Sequence, residues 1–170
     1  MNTEQNKPTH TPTTWLIVQT LWRRYFGLNV SPIDHLLFVG GEFRSEQWPL
    51  LHALGIRAVL SLQAEHVDNF IGPPPDRELR LEVIDHTAPT LDQLVAGVEF
   101  IVQCHATRLP VLVHCHAGVG RAPLTAAAYL MARYTLSHRE ALRYVRAARP
   151  IVNVNTLQIQ RLREWEALIR

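Results

Sequence analysis

A cysteine between an apolar strand and a glycine-rich stretch is the most chemically suggestive feature of this sequence. Residues 111–114 are predicted as a buried strand, Cys115 follows them, and Arg121 ends the stretch. Gly118 and Gly120 permit a tight loop whose backbone N–H groups can point inward at one centre. An anion would fit that centre, and Arg121 can offer a bidentate fork to two oxygens of a phosphate.

The helix predicted after this loop favours a nucleophilic sulfur. It begins near Ala122, where Pro123 suits the first turn, and its positive end faces the same centre. Helix N-termini and nearby cations lower a cysteine pKa to about 3.5–7.5, so we expect Cys115 to be a thiolate at neutral pH. A thiolate held under a bound phosphate is a nucleophile aimed at phosphorus.

The histidine, the cysteine, the five intervening residues and the arginine together resemble the signature of the cysteine-dependent protein tyrosine phosphatase superfamily. The loop at residues 114–122 is similar to that of the dual-specificity branch, and the resemblance extends over residues 33–170. In this family the cysteine forms a phosphocysteine intermediate and the arginine binds the phosphoryl oxygens. The resemblance therefore implies a phosphomonoester hydrolase with Cys115 and Arg121 in those roles, without a metal or another cofactor.

The resemblance also assigns roles to further residues. In the family, an aspartate on an upstream loop protonates the leaving group and then activates water, and Asp85 matches it. His114 matches a histidine that supports the loop through hydrogen bonds and helps to keep the thiolate. The residues that would bind the phosphate together with Arg121 are His116, Ala117, Gly118, Val119 and Gly120.

One position departs from the family pattern. A serine or threonine usually follows the arginine, and its hydroxyl assists the cysteine as leaving group in the second step, whereas this chain has Ala122. We therefore expect slower breakdown of the phosphoenzyme but not loss of its formation. The Arg-Ala-Pro sequence also occurs in family members that act on phosphorylated glucans.

The resemblance leaves the substrate open. The predicted partner is a phosphorylated protein or a small phosphomonoester. Residues 33–35, 89–91 and 97–100 are similar to lipid-directed members that act on phosphatidylglycerophosphate. The alternatives are therefore the same chemistry on a phospholipid (phosphatidylglycerophosphate or phosphoinositide) or on a phosphoglucan, and a phosphate-binding module without turnover.

Some residues allow alternatives to this assignment. Asp92 is a rival general acid, but the helix dipole also explains a carboxylate in the first turn of a predicted helix. Cys104 is predicted as a buried small residue, or as a disulfide partner that protects Cys115. The run from His114 to His116 suggests metal ligands, but no second pair of ligands is obvious, so no metal is predicted.

The surrounding pattern predicts a single α/β domain of the tyrosine-phosphatase type, with a central and mostly parallel sheet of about four or five strands flanked by helices. Asp85 would lie directly after the third strand, on a loop that could reach the phosphate. Apolar runs predict strands at residues 36–39, 57–62, 79–84 and 111–114, the last being central. Helical spacing and capping residues predict helices at residues 45–54, 90–107, 124–134, 137–148 and 155–169.

The N-terminal part differs from the rest. Residues 1–13 are polar and are predicted to be a disordered lead-in, residues 14–27 an amphipathic helix, and residues 31–170 the phosphatase domain. The helix either docks on its own domain or makes peripheral contact with a membrane surface through residues 14–26. Its apolar face comprises Trp15, Val18, Trp22, Tyr25 and Phe26.

The overall composition limits the function further. The chain has 170 residues, of which 47% are hydrophobic, enough for the core of one domain. A formal net charge of +2 is too small to indicate nucleic-acid binding by bulk charge, so no nucleic-acid partner is predicted. The presence of only two cysteines excludes a disulfide scaffold, and the predicted location is the reducing cytoplasm.

Overall fold

The computed structural model describes residues 14–170, and the predicted lead-in at residues 1–13 lies outside the described residues. The helices of this part of the chain are α1 Thr14–Phe26, α2 Trp48–Ala53, α3 Leu91–Ala106, α4 Arg121–Tyr134, α5 His138–Ala148 and α6 Thr156–Ile169. Its strands are β1 Val30–Pro32, β2 Leu37–Gly40, β3 Ala58–Ser61, β4 Arg77–Arg80 and β5 Val111–His114.

The strands form one sheet in the order β1-β2-β5-β3-β4. Strands β2, β5, β3 and β4 run parallel, whereas β1 pairs antiparallel with β2 at an edge. Every residue of β3 and β5 is buried, as their continuous apolar runs predict for inner strands of a parallel sheet. The predicted α/β fold, its mostly parallel sheet and the central place of residues 111–114 are confirmed.

Apolar residues cover both faces of the sheet. Val113 belongs to the larger hydrophobic cluster, which includes residues of α3, α4, α5 and α6. Leu112 points to the opposite face, because side chains alternate along a strand, and it packs in a smaller cluster with Trp48 and Leu51 of α2. Two packed layers of helix therefore hold β5, and with it the start of the loop that follows.

The sequence pattern does not predict β1. This strand has three residues and ends in Pro32. Three residues are too few to show an alternating pattern, and proline normally argues against a strand because it cannot donate to the ladder. At the edge of a sheet that missing donor is tolerated, which is where β1 lies.

The predicted strand at residues 79–84 is wrong in its bounds, because β4 ends at Arg80. Its neighbour β3 ends at Ser61, whose carbonyl accepts one more hydrogen bond, from the N–H of Leu81 (2.8 Å). Val83 stays buried against the core, which explains why the apolar alternation continues past the strand. Asp85 therefore lies within a loop at residues 81–90, which we call the 81–90 loop, and not directly after a strand.

Most of the predicted helices are present with small shifts at their ends. Thr90, Ser137 and Asn155, which the sequence predicts as helix start signals, cap α3, α5 and α6, and each does so through a capping box. The helix predicted at residues 45–54 is instead a short 3-10 turn, Ser45–Gln47, followed by α2.

Helix α4 begins at Arg121, one residue before the start near Ala122 that the loop predicts and three before the start at residue 124 that helical spacing predicts. Pro123 does not prevent this start, because N–H groups in the first helical turn have no partner within the helix. The earlier start places Arg121 itself, together with the positive end of the helix, beside the loop that follows β5.

Helix α1 occupies the predicted residues but turns its apolar face outward. Trp15 is 71% exposed, Val18 51% and Trp22 61%, whereas Thr20 is buried. The face expected to dock on the domain is therefore open to solvent along these residues; the side chains of Tyr25 and Phe26 lie outside the described part of the chain. No helix within residues 14–170 is long and apolar enough to cross a bilayer.

The carboxyl ends of the parallel strands meet at one edge of the sheet. Gly41 follows β2, Cys115 follows β5 and Leu62 follows β3, and these three strands are neighbours. In open α/β sheets this edge is where ligands bind. Loops from three adjacent strands therefore surround Cys115.

Candidate active site

Residues 115–120 form a tight loop between β5 and α4, which we call the Cys115 loop. Cys115 is buried at its base. Gly118 has a φ of +67°, and a Cβ atom there would lie 2.5 Å from the Gly40 carbonyl. A Cβ atom on Gly120 would lie 2.9 Å from a side-chain nitrogen of α6. Gly118 is therefore required by its backbone conformation and by its close packing against backbone, whereas a side chain at position 120 would displace only the end of the Gln158 side chain.

The backbone carbonyls of residues 116–119 point away from the centre of this loop. They accept hydrogen bonds from the surrounding protein. The first two donors are Glu42 N to the carbonyl of residue 116 (2.8 Å) and Asn29 Nδ2 to that of residue 117 (3.4 Å). The other two are Arg149 Nε to the carbonyl of residue 118 (2.6 Å) and Asn153 N to that of residue 119 (2.9 Å). The N–H groups of residues 116–120 have no acceptor among the described residues. Because N–H and C=O point in opposite directions across a trans peptide, the outward carbonyls of residues 116–119 turn the N–H groups of residues 117–120 inward, where they form a concave anion site.

Arg149, which follows α5, braces the Cys115 loop from behind. Its side chain is fully buried. It donates hydrogen bonds to Gly118 O (2.6 Å), Asn29 Oδ1 (2.6 Å), Ser31 Oγ (3.2 Å) and Ala117 O (3.5 Å). Burial lowers the pKa of Arg149 to about 10, although its charge interaction with Cys115 acts to raise that pKa. The guanidinium is therefore a cation at neutral pH.

The buried guanidinium of Arg121 joins three segments of the chain. Its Nη1 donates to both carboxylate oxygens of Glu65 (3.0 and 2.9 Å) and to the Val83 carbonyl (2.6 Å). Its Nη2 lies 3.0 Å from Asp85 Oδ1. Because a buried cation must be paired, Arg121 holds the loop after β3 and the 81–90 loop close to the Cys115 loop.

Glu65 connects Arg121 to the 81–90 loop. Its Oε1 accepts a hydrogen bond from the backbone N–H of Asp85 (3.0 Å). Partial burial raises the pKa of Glu65, but the hydrogen bond from Arg121 and further favourable interactions outweigh burial, so the pKa is lowered from its usual 4.5. Glu65 is therefore a carboxylate at neutral pH and balances the charge of Arg121.

Asp85 lies partly exposed on the 81–90 loop. Its Oδ1 accepts a hydrogen bond from the N–H of His86 (2.9 Å), a residue with the left-handed φ of +61°. Helix α6 fixes the loop from the other side, because Asn155 Nδ2 donates to His86 O (2.8 Å) and Gln158 Nε2 to Thr87 O (2.9 Å). The carboxyl group of Asp85 is thus held beside the Arg121 guanidinium.

Among the described residues, the His114 ring bonds to Asp68 and not to the Cys115 loop. Its Nε2 lies 2.7 Å from Asp68 Oδ2, and both side chains are buried. The Phe43 ring packs edge-on against it, with 5.2 Å between ring centroids. The other ring nitrogen, Nδ1, is buried and has no hydrogen-bond partner among the described residues, so the expected contact with the loop stays a prediction. His114 therefore ties the end of β5 to the loop after β3.

Residues 37–168 match the family model described as "Dual specificity phosphatase, catalytic domain". The chain belongs to the dual-specificity phosphatase family. This match confirms the predicted family and the predicted class of catalytic domain, a phosphatase.

Similar proteins include both protein and lipid phosphatases by name. Human "Dual specificity protein phosphatase 4" is 28% identical over 141 residues, which cover 82% of this chain and 36% of that protein. Human "Phosphatidylglycerophosphatase and protein-tyrosine phosphatase 1" is 30% identical over 146 residues, which cover 81% of this chain and 73% of that protein. The solved "Crystal Structure of PTPMT1 in complex with PI(5)P" superposes with a TM-score of 0.75 at 26% identity, over 83% of this chain and 96% of that chain.

The dual-specificity phosphatase domain brings most of the predicted site residues together. Arg121 and Asp85 are in contact, and Arg121 directly follows the loop that Cys115 begins. Asp92 lies in the first turn of α3, where the helix dipole accounts for it. Cys104 is buried in α3, and both cysteines are free.

Two residues of the phosphatase domain that sequence reasoning missed are Glu65 and Arg149. Glu65 follows β3, which is a neighbour of β5. Its place after a parallel strand, at the edge of the sheet where ligands bind, was the signal that could have identified it as a site residue. Arg149 gives no such signal, because an arginine at the end of a helix is usually solvated. Its partners precede it by many residues and become neighbours only in the folded chain.

Replacing Arg149 by methionine tests how the phosphatase domain holds its loop. The variant leaves buried carbonyls unpaired, so we expect the free energy of unfolding to fall by at least about 2 kcal/mol, since each buried unsatisfied group costs about 1–3 kcal/mol. Arg143→Met, at an exposed position of α5, should change it by less than about 0.5 kcal/mol. Urea unfolding followed by circular dichroism measures both; equal stability of the two variants would contradict the bracing role.

Proposed function

We propose that this chain hydrolyses phosphate monoesters as dual-specificity protein phosphatases do, through a phosphocysteine intermediate. The observation that carries the proposal is the Cys115 loop, in which inward N–H groups surround a point above a buried cysteine and beside Arg121. Membership of the family supports the same chemistry. The proposed substrate is a phosphorylated protein or a small phosphomonoester.

In the proposed complex, the phosphate dianion binds between the Cys115 loop and Arg121. The N–H groups of residues 116–120 take its oxygens, and the guanidinium supplies a planar fork. The phosphate competes with Glu65 and Asp85 for Arg121. Its binding therefore frees the Asp85 carboxyl group to face the leaving oxygen, while His114 fixes the start of the loop.

The proposed reaction has two steps. The starting complex has Asp85 protonated after the phosphate has displaced it from Arg121. First, the Cys115 thiolate attacks phosphorus, and the bond from phosphorus to the leaving oxygen breaks while Asp85 gives that oxygen its proton. Second, the Asp85 carboxylate takes a proton from water, the water oxygen attacks phosphorus, and the sulfur–phosphorus bond breaks. The products are the alcohol and inorganic phosphate, and both side chains return to their initial protonation states.

A phospholipid substrate is the second candidate, and the exposed face of α1 favours it. Trp15 and Trp22 are largely exposed, and Arg23 and Arg24 stand in the last turn of the same helix. Aromatic and basic residues on one helix suit the boundary between acyl chains and anionic headgroups, so we propose peripheral membrane contact through residues 14–26. The name of one relative and the lipid in a similar solved structure support this candidate.

A panel of phosphate esters distinguishes these candidates and the phosphoglucan alternative. It comprises phosphotyrosine and phosphoserine peptides, phosphatidylglycerophosphate, a phosphoinositide and a phosphorylated glucan. The values of kcat/KM across the panel rank the substrates directly, because this ratio measures discrimination between competing substrates.

Turnover of phenyl phosphate tests the assigned roles of the nucleophile and the acid. Cys115→Ser should lower kcat by at least about a thousandfold, and Asp85→Asn by about 10²–10⁴-fold, the usual effect of a general acid. Asp92→Asn is the matched control and should change kcat less than about twofold, since its carboxylate acts on the helix dipole alone. Full activity of Cys115→Ser would refute the proposed chemistry, and a larger loss in Asp92→Asn than in Asp85→Asn would refute the proposed acid.

The alanine at position 122 predicts an accumulating phosphoenzyme. Without a hydroxyl to assist the departing sulfur, the second step should limit the rate, so rapid mixing with p-nitrophenyl phosphate should give a burst of nitrophenol. Ala122→Ser should raise the steady-state rate while the rate of the burst changes little. A linear release by the native chain, or a slower steady state in Ala122→Ser, would contradict this prediction.

Sedimentation with anionic phospholipid vesicles tests the proposed membrane contact. The chain should bind, and the double substitution Trp15→Ala and Trp22→Ala should weaken binding at least about tenfold, because burying one large apolar side chain contributes about 1.5–3 kcal/mol. The control is Leu157→Ala with Leu168→Ala, which removes two exposed apolar side chains of α6. Equal binding by the two double variants would exclude α1 as the contact.

A further inference from the structure

Three potential metal ligands converge beside the Cys115 loop, and the proposed phosphatase reaction uses none of their side chains. Glu42 lies between two histidines: its Oε2 is 2.9 Å from His116 Nδ1, and its Oε1 is 2.8 Å from His66 Nδ1. One ligand atom from each residue lies within 4.8 Å of the other two. We call these residues the His-Glu-His cluster.

The topology of the sheet explains why these residues meet. Glu42 follows β2, His116 follows β5 and His66 follows β3, and these three parallel strands are adjacent. The cluster therefore stands at the carboxyl edge of the sheet, where α/β folds place ligands. The backbone also joins two members directly, because Glu42 N donates to His116 O (2.8 Å).

The donor set suits zinc better than the hard cations. Two imidazoles and one carboxylate match the three protein ligands of many catalytic zinc sites, which leave a fourth position for water or another ligand. Imidazole nitrogen also suits copper and nickel, whereas calcium and magnesium require more oxygen ligands than one carboxylate supplies. The cluster therefore selects a divalent transition metal.

The geometry of the cluster allows such a metal to bind. Tetrahedral zinc with ligand distances of about 2.0–2.2 Å places its ligand atoms about 3.3–3.5 Å apart. The side chains of His66 and His116 are 60% and 53% exposed and that of Glu42 is 32% exposed, so they can rotate to this spacing without disturbing the core. Glu42 and His66 also line a cavity of about 520 Å³, which gives solvent access to the fourth position.

We propose that Glu42, His66 and His116 form a binding site for Zn²⁺ at the rim of the Cys115 loop. In this site each histidine ligates through Nδ1, and the carboxylate of Glu42 exchanges its two hydrogen bonds for the metal. The site is separate from the proposed phosphocysteine chemistry, which does not require it. It places a bound metal on the residue that directly follows the proposed nucleophile.

Calorimetric titration of the full chain with Zn²⁺ tests the site. The titration uses Cys115→Ser protein, because the catalytic thiolate is itself a metal ligand and would add a second event. We expect saturable binding of one zinc ion per chain. His66→Gln in the same background should weaken it at least about tenfold, and Glu42→Gln should do the same.

His35→Gln is the matched control, since His35 is an exposed histidine outside the cluster. It should bind Zn²⁺ as the Cys115→Ser parent does, and circular dichroism should show that all variants are folded. Absence of saturable binding in the parent would overturn the proposal, as would equal affinity of the His66→Gln and His35→Gln variants. Every protein in this experiment lacks the Cys115 thiol. The result of the titration is therefore independent of whether the native chain turns over phosphate.

Discussion

The pairing of the buried Arg121 guanidinium is the interaction on which the arrangement of the site depends. A cation removed from water costs several kcal/mol unless charges and hydrogen bonds replace its hydration. Glu65 and Asp85 provide the charges, and they stand on the loops that follow β3 and β4. The pairing therefore draws both loops over the Cys115 loop. A phosphate that displaced the two carboxylates would meet a cation already in position.

The Cys115 loop is shaped from outside. Its carbonyls are occupied by groups from the segments around it, above all by the buried Arg149, so its N–H groups are left to face one centre. Donors that are oriented before a ligand arrives need no reorganisation when charge develops on it, which is the main source of electrostatic catalysis in enzymes. Gly118 makes this shape possible, because its backbone conformation and its contact with Gly40 leave no room for a side chain.

The sequence predicts those parts of the site that depend on local signals. The Cys115 loop contains two glycines and lies between a buried strand and a helix start, and the capping residue Thr90 lies next to the helix that it begins. Features that depend on distant partners were missed or misplaced. The end of β4 depends on where β3 stops pairing, the contact of His114 depends on Asp68, and an amphipathic pattern such as that of α1 does not say whether anything covers its apolar face.

Alkylation of the cysteines by iodoacetate at pH 6 tests the central claim, that an anionic sulfur lies within an anion site. The account predicts that Cys115 is carboxymethylated within minutes and that inorganic phosphate or vanadate slows the reaction, as peptide mass spectrometry would show. Cys104 is an internal control and should stay unmodified in the folded chain, because burial raises the pKa of its thiol and it lies within α3, outside the anion site. A Cys115 that reacts no faster than Cys104, or that reacts at the same rate with and without the oxyanion, would contradict the account.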